Sequence, residues 1–111
     1  MHQIEQEIVT ALVDEALAKG YSLSIDDGGD ELALVRSADR KEILAAIGQA
    51  GDEWIHIHVP GSTRSRDGWV FLVYGNEPYY VINDYTVNPI TKGVVKATEA
   101  LVAKYEELAT W

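Results

Sequence analysis

Residues 69–74, Trp-Val-Phe-Leu-Val-Tyr, are apolar or aromatic at every position, and residues 79–82, Tyr-Tyr-Val-Ile, resume the pattern after Gly-Asn-Glu-Pro. Side chains alternate across a β-strand, so strands of this kind have two sides to hide. Trp69, Phe71 and Val73 stand against Val70, Leu72 and Tyr74, and then Tyr79 and Val81 against Tyr80 and Ile82. The stretch 68–89 also carries four of the six tyrosines and the only phenylalanine. An earlier strand is of the opposite kind. In Tyr-Ser-Leu-Ser-Ile, the residues Tyr21, Leu23 and Ile25 oppose Ser22, Ser24 and Asp26, the pattern of a sheet covered on one side and wet on the other. A chain holding both kinds of strand has to form a sheet whose two faces are treated differently.

The remaining elements follow from periodicity and from turn chemistry. Residues 3–18 place Ile4, Ile8, Val9, Leu12, Val13, Ala16 and Leu17 on one stripe, which predicts an amphipathic helix stopped by Gly20. Asp-Asp-Gly-Gly-Asp joins the first strand to a second, residues 31–37, through a hairpin turn. Asp39 with Glu42 has capping-box spacing and starts a short helix that runs to Gly48. A third strand follows, with Ile55, Ile57 and Val59 on one side and Trp54, His56 and His58 on the other. The fourth and fifth strands come next, residues 68–74 and 79–83, and Asn88-Pro89 opens a final helix that reaches about Ala109. The predicted order is α-β-β-α-β-β-β-α over residues 1–111. That is a single α+β domain with a mainly antiparallel five-stranded sheet.

Widths indicate how such a sheet is covered. Five strands at ~4.8 Å span about 24 Å, and two helices of ~10 Å diameter nearly fill one face. The first and last helices suit that task. The middle helix, about 11 residues or roughly 16 Å long, is left to shield part of the second face. Aromatic surface there is expected to remain open to another molecule, and the candidate binding residues are Trp54, His56, His58, Trp69, Phe71 and Tyr79.

Charge and composition narrow the classes of function. The net charge is −9, and the first eighteen residues hold Glu5, Glu7, Asp14 and Glu15 with no Lys or Arg. Phosphate backbones and anionic membrane surfaces repel such a chain, so nucleic acid is disfavoured as a partner. A basic partner surface is the functional reading of this acidity, and solubility is the plain one. No apolar run nears the ~20 residues of a membrane span, and the acid-interrupted N-terminus does not read as a secretory signal. Zero cysteines remove disulfide and thiolate chemistry and suit a cytoplasmic setting.

Motifs with catalytic or ligand chemistry are thin. His56-x-His58 puts two imidazoles on one strand face, and a metal there needs a third ligand such as Asp84 or His2. Asp-Asp-Gly-Gly-Asp-Glu gathers carboxylates without the order of a calcium loop. Arg64 and Arg66 flank a polar loop that opens no phosphate-binding helix. No nucleophile elbow surrounds Ser62. The expectation is a non-enzymatic protein with no cofactor that binds a protein partner or a second copy of itself. Its rival is a small-ligand or metal-dependent enzyme built on His56 and His58.

Residues 69–88 add a resemblance. Tyr74-Gly75-Asn76, then Val81, Ile82, Asp84, Tyr85, Thr86 and Asn88, form a segment that resembles a loose group of small proteins from phages, prophages and plasmids. The likeness covers roughly the last 40 residues well and the opening helix and first hairpin loosely, and Glu77-Pro78 departs from the Gly or Asp of those relatives. It implies a mobile-element setting, in which small acidic proteins often inhibit host defence machinery by occupying a protein surface. The segment also has a structural reading. Gly75-Asn76 turns the chain, Asn88 caps the last helix, and Asp84 and Thr86 bond backbone between them.

Overall fold

The computed structural model describes residues 1–109. Helix α1 spans Gln3–Ala18, strand β1 Ser22–Asp26, β2 Leu34–Ser37, α2 Arg40–Ala46, β3 Asp52–His58, β4 Gly68–Val73 and β5 Ile82–Tyr85, with a 3-10 turn at Pro78–Tyr80 before β5. Two helices end the chain, α3 at Pro89–Lys96 and α4 at Glu99–Ala109. The five strands form one sheet in the order β2-β1-β3-β4-β5, and every neighbouring pair is antiparallel. The expected α+β class and element order hold.

Alternation sorts the strands into two faces. Leu23 and Ile25 of β1, Ile55 and Ile57 of β3, and Val70 and Leu72 of β4 point to one side, each no more than 1 % exposed. Ile8, Val9, Leu12, Val13 and Ala16 of α1, Ile43 and Ile47 from α2 and its end, and Val94 and Val95 of α3 fill the same core. All the helices with buried side chains therefore lie on one face. This corrects the expectation that the middle helix shields the other side. The reason is local: Ser37, at the end of β2 and paired with Leu23, faces the core. Its hydroxyl donates to Glu42 of α2 and accepts from the Asp39 N–H, so α2 starts on that side. Asp39 caps the helix through the N–H groups of Lys41 and Glu42, while Glu42 is spent on Ser37 rather than closing a capping box.

Polar groups anchor the core at its rim. Glu5 closes a capping box on the His2 N–H at 2.9 Å, and its other oxygen accepts the Gly75 N–H at 3.1 Å, tying α1 to the turn after β4. Glu53, 0 % exposed on the core side of β3, accepts from the Gly48 N–H and from the Tyr74 hydroxyl, both at 2.7 Å. At the start of β4, Gly68 is required by a close approach. A Cβ there would lie 2.1 Å from the Thr91 Oγ1 of α3.

Two C-terminal elements depart from expectation. Pro78 starts a 3-10 turn, closed by the Tyr80 N–H on the Glu77 carbonyl at 2.9 Å, so Tyr79 lies outside the sheet and β5 begins only at Ile82. The last helix breaks at Ala97-Thr98, where the Thr98 N–H and hydroxyl both bond the Val95 carbonyl. Beyond the break α4 has no fully buried side chain.

Candidate functional site: the bare sheet face

The side of the sheet opposite the helices carries Trp54, His56, Trp69 and Phe71. Register places Asp26 of β1 opposite Trp54 of β3, Trp54 opposite Phe71 of β4, and Phe71 opposite Asp84 of β5. These four residues form one row across four strands, with a carboxylate residue on each end strand and those strands about 14 Å apart, three spacings of ~4.8 Å. The Trp54 and Phe71 rings lie with centroids 4.3 Å apart at an interplanar angle of 30°. Both are only half-buried, because no helix sits over them. The adjacent row below pairs Asp52 with Val73, so a third carboxylate borders the aromatic pair.

The row above runs Ser24, His56, Trp69. The His56 Nε2 lies 3.8 Å from the Asp26 carboxylate and 3.4 Å from the Arg66 guanidinium. Partial burial, reinforced by the Arg66 charge and opposed by Asp26, holds its pKa below the usual histidine value. The Arg66 guanidinium also lies over the Trp69 ring, 5.8 Å from its centroid. The end of the face near Trp69 is thus covered by the chain's own loop, and the end near Trp54 is not.

His58, on the same side, has a different fate. It is 2 % exposed, and its Nε2 is 2.7 Å from the Ser24 Oγ, which in turn accepts the Arg36 N–H at 2.9 Å. Its Nδ1 is buried and finds no hydrogen-bond partner among the described residues. Burial, with Arg36 and His56 adding to it and Asp67 opposing, lowers its pKa. The loop after β3 closes over this region. Asp67 accepts from the Val59 N–H and the Ser62 hydroxyl, both at 2.8 Å, and Arg36 donates to the Arg64 carbonyl at 2.6 Å. Ser24 and His58 form a serine–histidine pair that no periodicity signals, but both side chains are sealed, with Ser24 1 % exposed. A nucleophile needs access to a substrate, which this one lacks.

Four of the six predicted binding residues, Trp54, His56, Trp69 and Phe71, therefore share one open or partly open face. His58 shares its side but is buried. Tyr79 does not belong there, because the 3-10 turn carries it to the helix side. It lines a groove of about 340 Å³ there with Tyr80, Ile82, Tyr85, Val95 and Val102. The residues that the sequence reading missed are Asp26, Asp52 and Arg66, whose positions around the rings come from cross-strand register. No group of three or more His, Cys, Asp or Glu side chains suited to a metal ion occurs among the described residues. His2 caps α1, so it is not brought to His56 and His58 as a third ligand. Asp84 accepts the Tyr85 N–H, and Thr86 brackets β4 by accepting the Trp69 N–H and donating to the Trp69 carbonyl. Asn88 caps α3 through the Thr91 N–H at 2.9 Å. Among the described residues no helix is long and apolar enough to cross a membrane. A scan against protein-family models finds no match, and neither do searches of the curated proteins and of the solved structures.

Proposed function

We propose that this is a non-catalytic docking protein, which binds another protein through the sheet face centred on Trp54 and Phe71. The observation that carries the reading is the row Asp26–Trp54–Phe71–Asp84. It is an aromatic pair left without a helix over it, on a face whose opposite side is filled by a complete core. Half-buried rings clustered on a flat face are the composition of an interface centre, with charged groups at the rim. The sealed state of Ser24 and His58 favours binding over catalysis at this face.

A second copy and a foreign protein are both candidate occupants, and charge separates them. Two copies meeting face to face would bring together molecules of net charge −9 with Asp26, Asp52 and Asp84 at each contact, which favours a foreign partner. The resemblance of the segment from Tyr74 to Asn88 to phage and plasmid proteins supports, by association, a sharper form. In that form the protein works in the cytoplasm and blocks a surface of host defence machinery.

The test is capture from cell extract with the natural chain and with the Trp54→Ser/Phe71→Ser variant as baits, after circular dichroism shows that both are folded. A partner held by the natural chain and lost from the variant is the expected result. A partner retained in equal amount by the variant removes this face from the function. Light scattering on the same samples reports whether the natural chain pairs with itself.

A further inference from the structure

We infer that the occupant of this face is a basic protein surface that lays an arginine over the Trp54–Phe71 pair, with further basic side chains reaching the carboxylates around it. The inference rests on the docking reading above and names the partner's chemistry. Three observations converge on it. First, the rings are bordered by carboxylates on three sides: Asp26 and Asp84 close the two ends of their row, and Asp52 lies in the row below. Asp52 and Asp84 are exposed and Asp26 half-buried. Asp26 and Asp84 each accept a local backbone N–H through one oxygen, from Gly28 and Tyr85 respectively, and the second Asp26 oxygen lies on the side of His56. The contact of Asp26 with His56 is long, at 3.8 Å.

Second, the face already displays the mode of recognition. Arg66 places its guanidinium over Trp69 in the next row, a cation over an indole face, using the chain's own loop. The Trp54–Phe71 pair is the equivalent platform, and among the described residues no cation lies over it. The midpoint between the two rings' strands lies about 7 Å from the strand at either end of the row, half of three spacings of ~4.8 Å. One arginine therefore covers the rings while its neighbours meet the carboxylates. Arginine suits the place better than lysine, since a planar guanidinium stacks on rings and also forks to carboxylate oxygens.

Third, the charge of the whole chain, −9, draws a cationic surface in and repels nucleic acid and anionic lipid. Arg66 is a cation seated against His56 and Trp69, in the row next to the rings. It directs an incoming positive group away from Trp69 and toward Trp54.

The experiment uses an arginine-rich peptide of alternating Gly and Arg as the probe, with a lysine peptide of equal charge beside it. Binding to the full chain is followed by amide NMR shifts and by calorimetry at two salt concentrations. The largest shifts are expected at Trp54, Phe71, Asp84 and their neighbours, with the arginine peptide bound more tightly than the lysine one. The Asp26→Asn/Asp52→Asn/Asp84→Asn variant is expected to weaken binding about tenfold, from three charge contacts open to solvent wholly or in part. A charge-matched control, Asp27→Asn/Asp30→Asn/Glu31→Gln in the β1–β2 turn, is expected to weaken it no more than about twofold. Equal weakening by the two triple variants, shifts centred on that turn, or no binding at all overturns the inference. If the Trp54→Ser/Phe71→Ser bait loses its partner while the arginine peptide fails to bind, the docking face stands and the basic partner does not. If the bait keeps its partner, the docking face itself falls.

Discussion

Leu72 and Phe71 are neighbours on β4 that point to opposite faces, and substituting each by alanine measures how differently those faces are treated. Leu72 is 0 % exposed, packed among Ile55, Val70 and the helices. Truncating a buried leucine to alanine costs about 2–5 kcal/mol, through lost transfer energy and the cavity left behind. A domain of this size has a total stability of roughly 5–15 kcal/mol, so Leu72→Ala removes a large share of it. Phe71 is half-buried, with one flank against Trp54 at 4.3 Å and no helix above. Its loss forfeits the aromatic pairing, about 0.5–1.5 kcal/mol, and part of the burial of its own ring. The expected total is about 1–2 kcal/mol, well below the 3–5 kcal/mol of a phenylalanine enclosed in a core. Urea unfolding at neutral pH, followed by far-ultraviolet circular dichroism, reads both values without relying on the tryptophans beside the substitution. A coupling of about 0.5–1.5 kcal/mol between Trp54→Ala and Phe71→Ala is expected from the double-mutant cycle. If Phe71→Ala costs as much as Leu72→Ala, the second face is a core in energetic terms, and the reasoning about a docking surface fails.

Two further predictions concern the scaffold. Gly68→Ala should destabilise by about 1–3 kcal/mol, because the new Cβ would meet the Thr91 Oγ1 at 2.1 Å. The Gly68→Ala/Thr91→Ala double variant should recover part of that loss in the same urea assay, since the next contact is an ordinary 3.5 Å. Stability should also fall with acidification: His56 and His58 have folded-state pKa values below their ordinary one of about 6.5, chiefly from burial. The unfolded chain therefore binds protons first, and stability drops as pH falls from about 7 through 6.5 and below. His58→Gln should flatten that slope in urea midpoints measured from pH 8 to 5, and an unchanged slope would show that His58 does not carry it.

Much of this architecture is written in spacing. The stripe from Ile4 to Leu17 sets α1, and the alternation Trp54–His56–His58 against Ile55–Ile57 sets the phase of β3. Asn88-Pro89 marks the start of α3. Such features depend on neighbours three or four residues apart, or on a period of two, so a linear reading finds them. What escaped that reading depends on partners far along the chain or on competition within a turn. Tyr79 left the sheet because Pro78 favours a 3-10 turn over a strand start, and the last helix broke where the Thr98 hydroxyl captures the Val95 carbonyl.

The side on which α2 lands is the most consequential choice. Residues 40–46 carry an apolar stripe that would serve either face, and their composition does not distinguish the two. The core-facing Ser37 and its bond to Glu42 bring the helix to the side already held by α1, leaving Trp54 and Phe71 bare. Cross-strand register then sets Asp26, Asp52 and Asp84 around the rings, residues that are 58 positions apart at the extremes. Local periodicity determines which side chains share a strand face. Only the folded path of the chain decides which face is covered and which charges meet on the other, because both are settled by contacts between segments remote in sequence.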